Sequence, residues 1–268
     1  MTSMAGALGR ATFEFLAYVY RLYALFSETL YWLFIGRWKT RKKLGRKSIA
    51  LFMAEVGYHS IPIIFLILFL VGAILGINAL AQLEKFGQET FMAQGIAVTL
   101  TREMGPLLVG IVIAARVGAA MTAELGTMKV SEEVMALSTM AIEPVRFLVV
   151  PRFIGLVVMM PFLTILADLV GMVGGALVGV GIFQRIALSE YYELTISGLL
   201  NRDIITGLVK SMVFGTLIAL VACHEGLAVE GGAEGVGRAT TRSVVSSIVL
   251  IILADGLFTA LFYRLGLT

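Results

Sequence analysis

Residues 61–80 read IPIIFLILFLVGAILGINAL, twenty positions without a charged side chain. A helix rises about 1.5 Å per residue, so a run of this length crosses the ~30 Å hydrocarbon core of a bilayer. Lipid offers the backbone no hydrogen-bond partners, and an unbroken apolar run meets that demand by forming a helix. Four further stretches follow, at about 93–121, 153–183, 204–222 and 244–262. The composition agrees: 59% of residues are hydrophobic, 15% are charged, and the mean hydropathy is +0.93. Soluble domains carry about a quarter charged residues. The expected fold is therefore an all-α integral membrane protein, one bundle of five transmembrane helices. The net charge of +3 is small and unevenly placed, and it does not indicate nucleic-acid binding.

The N-terminal region differs in kind. Residues 10–36 are expected to form a helix whose polar stripe, Arg10, Glu14, Arg21 and Glu28, keeps to one face. The other faces are apolar and aromatic, and rings with polar tips favour the headgroup layer. An interfacial helix is the first reading, and a first true span is its rival. A basic cluster with no acid in it comes next: Arg37, Lys39, Arg41, Lys42, Lys43, Arg46 and Lys47. Such a cluster beside a span stays cytoplasmic, and it can also meet anionic headgroups. The chain thus divides into residues 1–48, helix and basic linker, and 49–268, the five-span unit. With a cytoplasmic N-terminus, five spans place the C-terminus on the outer side.

Ionisable groups inside spans cost several kcal/mol and need a reason. Arg102 and Glu103 are adjacent, so on a helix they point about 100° apart and meet different partners. Asp168 and Asp255 lie mid-span, and Lys210 lies toward the outer end of the fourth span. These groups either pair across helices or line a polar cavity, where Arg102 or Lys210 can meet a phosphate. Small residues recur every four positions at Gly171, Gly175 and Gly179, and at Ala114, Gly118, Thr122 and Gly126. Both stripes suit close helix approach, within one chain or between two copies. The polar segment Glu124 to Ala141 is expected to be an amphipathic helix on the cytoplasmic side, with Val130, Val134, Leu137 and Ala141 on one face. It can lie on the membrane or dock into a groove of a partner.

Enzymatic motifs are missing. The chain has no GxxxxGK[ST] phosphate loop and no GxSxG elbow, and His59 and His224 are too far apart for a zinc-binding HExxH. A single cysteine, Cys223, excludes an intrachain disulfide.

The stretch LTREMGPLLVGIVIAARVGAAMTAELGTMKVSEEVMALSTMAIEPVRFLVVPRF, Leu100 to Phe153, closely resembles the MlaE/YrbE-type permeases. It carries a TREMGP-like start, an AARVGAAMTAELG-like core and an I-x-P-[VL]-R-x-[LV]-x-x-PR ending. GRATTRSVVSS, Gly237 to Ser247, is a second match, and the similarity runs from about residue 50 to the end. The resemblance implies the membrane subunit of an ABC transporter that moves phospholipids between the bacterial inner membrane and the outer envelope. It implies a homodimer, a cytoplasmic ATPase that binds the ATP, an MCE-domain protein on the outer side, and often a STAS-domain protein. The chain itself would carry no cofactor and no catalytic residue. Arg102, Glu103, Lys210 and Asp255, with Ile77 and Leu80, would line the lipid pathway. Glu124, Lys129, Val130, Glu132, Glu133, Val134 and Leu137 would belong to the coupling helix that meets the ATPase.

Two other functions fit the residues taken alone. A secondary transporter or channel would use Arg102, Glu103, Asp168 and Asp255 as a charge relay and need no ATPase. A passive anchoring subunit would tolerate neutralisation of every buried charge.

Overall fold

The computed structural model describes residues 4–35 and 46–266, and among them it contains helices and no strand. In chain order these are α1 (Met4–Phe34), α2 (Arg46–Leu83), α3 (Glu89–Val130), α4 (Glu133–Thr139), α5 (Val145–Ile182), α6 (Leu188–Gly198), α7 (Asn201–Leu227) and α8 (Gly232–Arg264). Five of them, α2, α3, α5, α7 and α8, are long and apolar enough to cross a membrane. Each is longer than its expected span, and α5 gains its extra length at its start, ending at Ile182.

The core lies where α2, α3, α5 and α7 meet. Ile64, Leu68, Leu100, Ile113, Leu156, Met160, Phe214 and Ile218 are fully enclosed. Glycine lets these helices touch. A Cβ on Gly72 would overlap the Gly171 carbonyl, and one on Gly174 would overlap the Phe69 carbonyl. Gly175 faces Ile96 and Tyr191. The Gly171, Gly175 and Gly179 stripe therefore packs within the chain. The second stripe does the same: Gly118 faces Ile218 and Gly126 faces Val229 and Val236. Between them the buried Thr122 hydroxyl lies 2.8 Å from Ser243 Oγ and 3.2 Å from the Ala222 carbonyl, tying α3 to α7 and α8.

Two long helices are locally unwound. α3 contains π turns at Leu100–Met104 and Ala114–Gly118, and α5 contains them at Val145–Val149 and Leu177–Ile182. Pro106 and Pro151 each stand two residues beyond such a turn. Proline lacks the N–H that would extend the α ladder, so the preceding turn widens. At the first turn the Gly105 N–H donates to the Leu100 carbonyl, five residues back.

α1 is not among the five spanning helices. It buries Leu22 and Thr29 against the bundle and exposes Phe13, Tyr20, Tyr23 and Phe34. Tyr18 meets His224 edge to face at 5.5 Å, Phe26 lies 6.1 Å from Phe153, and the Arg146 guanidinium sits over the Trp32 ring. Arg37, Lys39, Arg41, Lys42 and Lys43 lie outside the described residues, as do the side chains of Arg10 and Arg46.

The segment between the second and third spans departs from expectation. Glu124 to Ala141 is not one helix. α3 runs on to Val130, Glu132 takes a left-handed conformation (φ 61°), and only Glu133–Thr139 forms a separate helix. A left-handed residue cannot continue a right-handed helix, so the chain turns there. Val134 and Leu137 face the bundle, whereas Val130 and Ala141 are exposed. Glu124 belongs to α3 and pairs with Arg152 on α5 at 2.7 Å.

α6 was not expected. It covers the start of α3, with Gly198 against Gln94 and the Tyr191 hydroxyl donating to the Met172 carbonyl at 2.9 Å. Burial pushes the Tyr191 hydroxyl up to about 12, so it keeps this proton at ordinary pH.

Candidate functional site

The π turn Leu100–Met104 carries Arg102 and Glu103, and the two side chains diverge to different helices. Arg102 reaches α7: its Nε donates to Asp203 Oδ1 at 2.8 Å and its Nη2 lies 2.7 Å from the same oxygen. Glu103 Oε2 accepts from Lys210 Nζ at 2.7 Å. Lys210, also on α7, further approaches Asp255 Oδ1 at 2.9 Å and Thr259 Oγ1 at 2.8 Å, both on α8. Its ammonium donates to Glu103 and Thr259 and lies in ion-pair range of Asp255, whose Oδ1 makes no hydrogen bond. The Thr259 hydroxyl lies 3.0 Å from Glu103 Oε1 and closes the ring.

Each spacing has a local cause. Lys210 stands seven residues after Asp203, so both leave the same face of α7 two turns apart. Thr259 follows Asp255 by one turn and is within 2.9 Å of its carbonyl. Asp203 sits in the first turn of α7, where its Oδ2 accepts from the Leu200 N–H at 3.0 Å. The carboxylate thereby holds a helix N-terminus and a guanidinium at once.

The cluster is graded in exposure. The side chains of Lys210 and Asp203 are 1% exposed, Asp255 15%, Arg102 22% and Glu103 31%. Two cations (Arg102, Lys210) face three carboxylates (Glu103, Asp203, Asp255), a formal excess of one negative charge. A buried core of fixed charge thus presents one guanidinium and one carboxylate edge outward. That pair suits a ligand group with donors and acceptors, held beside apolar helix surface.

Of the sequence-predicted residues, Arg102, Glu103, Lys210 and Asp255 come together. Ile77 and Leu80 do not join them. α2 packs along α5, with Ile77 on its outer surface and Leu80 buried in the core at 5% exposure. Asp168 is buried on α5 with its Oδ1 lacking a hydrogen-bond partner, and it lies against Gly105 behind the cluster. Asp203 and Thr259 are the members that sequence reasoning missed. An acidic residue in the first turn of a span, and a hydroxyl one turn after an intramembrane aspartate, were the available signals. At the α4 end Lys129, Val130, Glu132 and Glu133 are exposed, whereas Val134 and Leu137 turn inward.

A family model described as Permease MlaE matches residues 50–261. The chain is 30% identical over 267 residues to the intermembrane phospholipid transport system permease protein MlaE of Haemophilus influenzae, covering 99% of this chain and 100% of that one. It is 39% identical over 209 residues to a probable ABC transporter permease protein of Rickettsia prowazekii, covering 78% and 80%. It is also 32% identical over 212 residues to the chloroplastic protein trigalactosyldiacylglycerol 1 of Arabidopsis thaliana, covering 79% and 60%.

Proposed function

The chain belongs to the MlaE permease family, and from that premise we propose that it is the membrane subunit of an ATP-driven transporter of phospholipids in a bacterial inner membrane. The observation that carries this reading is the polar cluster at Lys210, set beside an uncovered apolar face. Val245, Val249, Ile252 and Leu257 on α8 are all at least half exposed. A phospholipid needs both kinds of surface, a few fixed polar groups for its headgroup and apolar walls for its chains.

Two copies meeting across α8 would close these faces into one cavity. Arg102 and the outward edge of Glu103 would hold the headgroup there. The α4 end faces the cytoplasm in this arrangement, and the C-terminus faces the periplasm. Exposed Glu132 and Glu133, with Met135 beside them, form the docking surface for a cytoplasmic ATPase, which supplies the nucleotide chemistry. An MCE-domain protein receives or delivers lipid at the α6 end, and a STAS-domain protein accompanies the ATPase.

Affinity purification of the tagged chain in mild detergent, followed by mass spectrometry, tests the assembly. An ATPase and an MCE-domain protein recovered with the chain support the reading. A chain recovered alone would contradict it.

A further inference from the structure

Among the described residues, three basic side chains buried at the spans are paired with carboxylates, and Arg116 is not. Arg102 has Asp203, Lys210 has Glu103 and Asp255, and Arg152 has Glu124. Arg116 lies in the π turn Ala114–Gly118 and is half-buried. Its Nη1 donates to Ser60 Oγ at 2.6 Å, and among the described residues no carboxylate stands at ion-pair distance from it. A guanidinium left without a counter-charge in a membrane span is costly unless a ligand supplies the charge.

Arg116 lines a recess of about 280 Å³ between α2 and α3. The walls include Phe52, Val56 and Met121, which are apolar. Glu55 and Glu124 complete the polar lining. Glu124 is already held by Arg152, whereas Glu55 is exposed and has no ion pair among the described residues. The recess therefore offers one uncompensated cation and one uncompensated anion that do not reach each other. Fourteen residues separate Arg102 from Arg116, about 21 Å along α3. That distance puts the two cations toward opposite faces of a ~30 Å core.

We propose that the recess around Arg116 binds one amine-bearing zwitterionic phospholipid in the leaflet opposite the Lys210 cluster, with phosphate on Arg116, ammonium toward Glu55, and acyl chain along Phe52, Val56 and Met121. Guanidinium and phosphate form strong paired hydrogen bonds, and Ser60 engages only Nη1, which leaves the other guanidinium donors for a phosphate. A purely anionic headgroup would satisfy Arg116 and meet repulsion from Glu55. A zwitterion satisfies both. The site deepens the lipid-permease reading by placing a lipid where the membrane on the α4 side can load it.

The test uses the full chain in nanodiscs of mixed phosphatidylethanolamine and phosphatidylglycerol, with retained lipid read by native mass spectrometry. Arg116→Gln is expected to weaken phosphatidylethanolamine retention by about tenfold. Glu55→Gln is expected to erase the preference over phosphatidylglycerol while retaining a lipid. Arg116→Lys keeps the charge and retains part of the binding. Inorganic phosphate added in solution leaves the lipid in place; its displacement by phosphate would assign the site to a free anion and overturn the proposal. Unchanged retention in Arg116→Gln would overturn it as well. Should Arg116→Gln not fold, a photoreactive group at Ala120, another wall residue, decides: crosslinks to phosphatidylethanolamine support the site, and their absence refutes it. None of these readouts needs ATP. Failure of ATP-driven transfer in the wild-type complex would sink the permease reading and leave the retention result standing.

Discussion

Lys210 Nζ lies 2.7 Å from Glu103 Oε2, although 107 positions separate the two residues in the chain. This contact joins α3 to α7, and through Asp255 and Thr259 it also joins α8. The ammonium is 1% exposed, so its loss strands two carboxylates around an empty centre. Lys210→Met is expected to lower stability by ~3 kcal/mol, as for a buried pair broken on one side. Adding Glu103→Gln should return part of that loss. Thermal unfolding of the purified chain in detergent measures both. A Glu103→Gln change that costs the same with Lys210 in place and with Lys210→Met would mean that the two residues are not coupled.

Asp203 does two things, and two substitutions separate them. Asp203→Asn keeps an oxygen for the Leu200 N–H and loses the ion pair with Arg102. Asp203→Ala loses both. The alanine variant should be less stable than the asparagine variant by ~1 kcal/mol, the usual contribution of an N-terminal cap. Identical unfolding of the two would remove the cap from the account.

Gly105 has no room for a side chain because the Asp168 carboxyl fills the space. Gly105→Ala should cost ~1–3 kcal/mol through overpacking. Asp168→Ala in the same chain should restore most of it, since it empties the contested volume. A cycle without such rescue would show that the strain at Gly105 has another source.

Glu132 and Glu133 project from the turn into α4 and are exposed. Replacing both by lysine reverses the charge of the proposed docking surface while leaving the core untouched. The expected result is a normally folded chain that retains the ATPase poorly and shows little lipid-stimulated ATP turnover. Unchanged turnover would exclude this surface as the coupling contact.

The five spans were legible because an uncharged run of about twenty residues leaves little choice in lipid. The charges of the site were legible for the same reason: Arg102, Glu103, Lys210 and Asp255 stand out against apolar neighbours. Their pairing was not, since Lys210 meets Glu103 and Thr259 only when α7 packs between α3 and α8. Asp203 looked like a loop residue because it sits at the edge of its span, where a charge needs no explanation. The π turns carry no periodic signature beyond a nearby proline. The break at Glu132 has no glycine to announce it, so the apolar spacing of Val130, Val134, Leu137 and Ala141 suggested a continuous helix. Leu80 illustrates the opposite limit: an apolar residue at the end of a span can face lipid, ligand or core, and sequence does not distinguish them.

The most direct test of the central claim is phospholipid transfer between vesicles by the chain reconstituted with its ATPase. Labelled phosphatidylethanolamine should move with ATP, stop with a non-hydrolysable analogue, and move at a small fraction of the wild-type rate with Lys210→Met. Transfer that proceeds equally without ATP, or that is indifferent to the Lys210 cluster, would contradict the account.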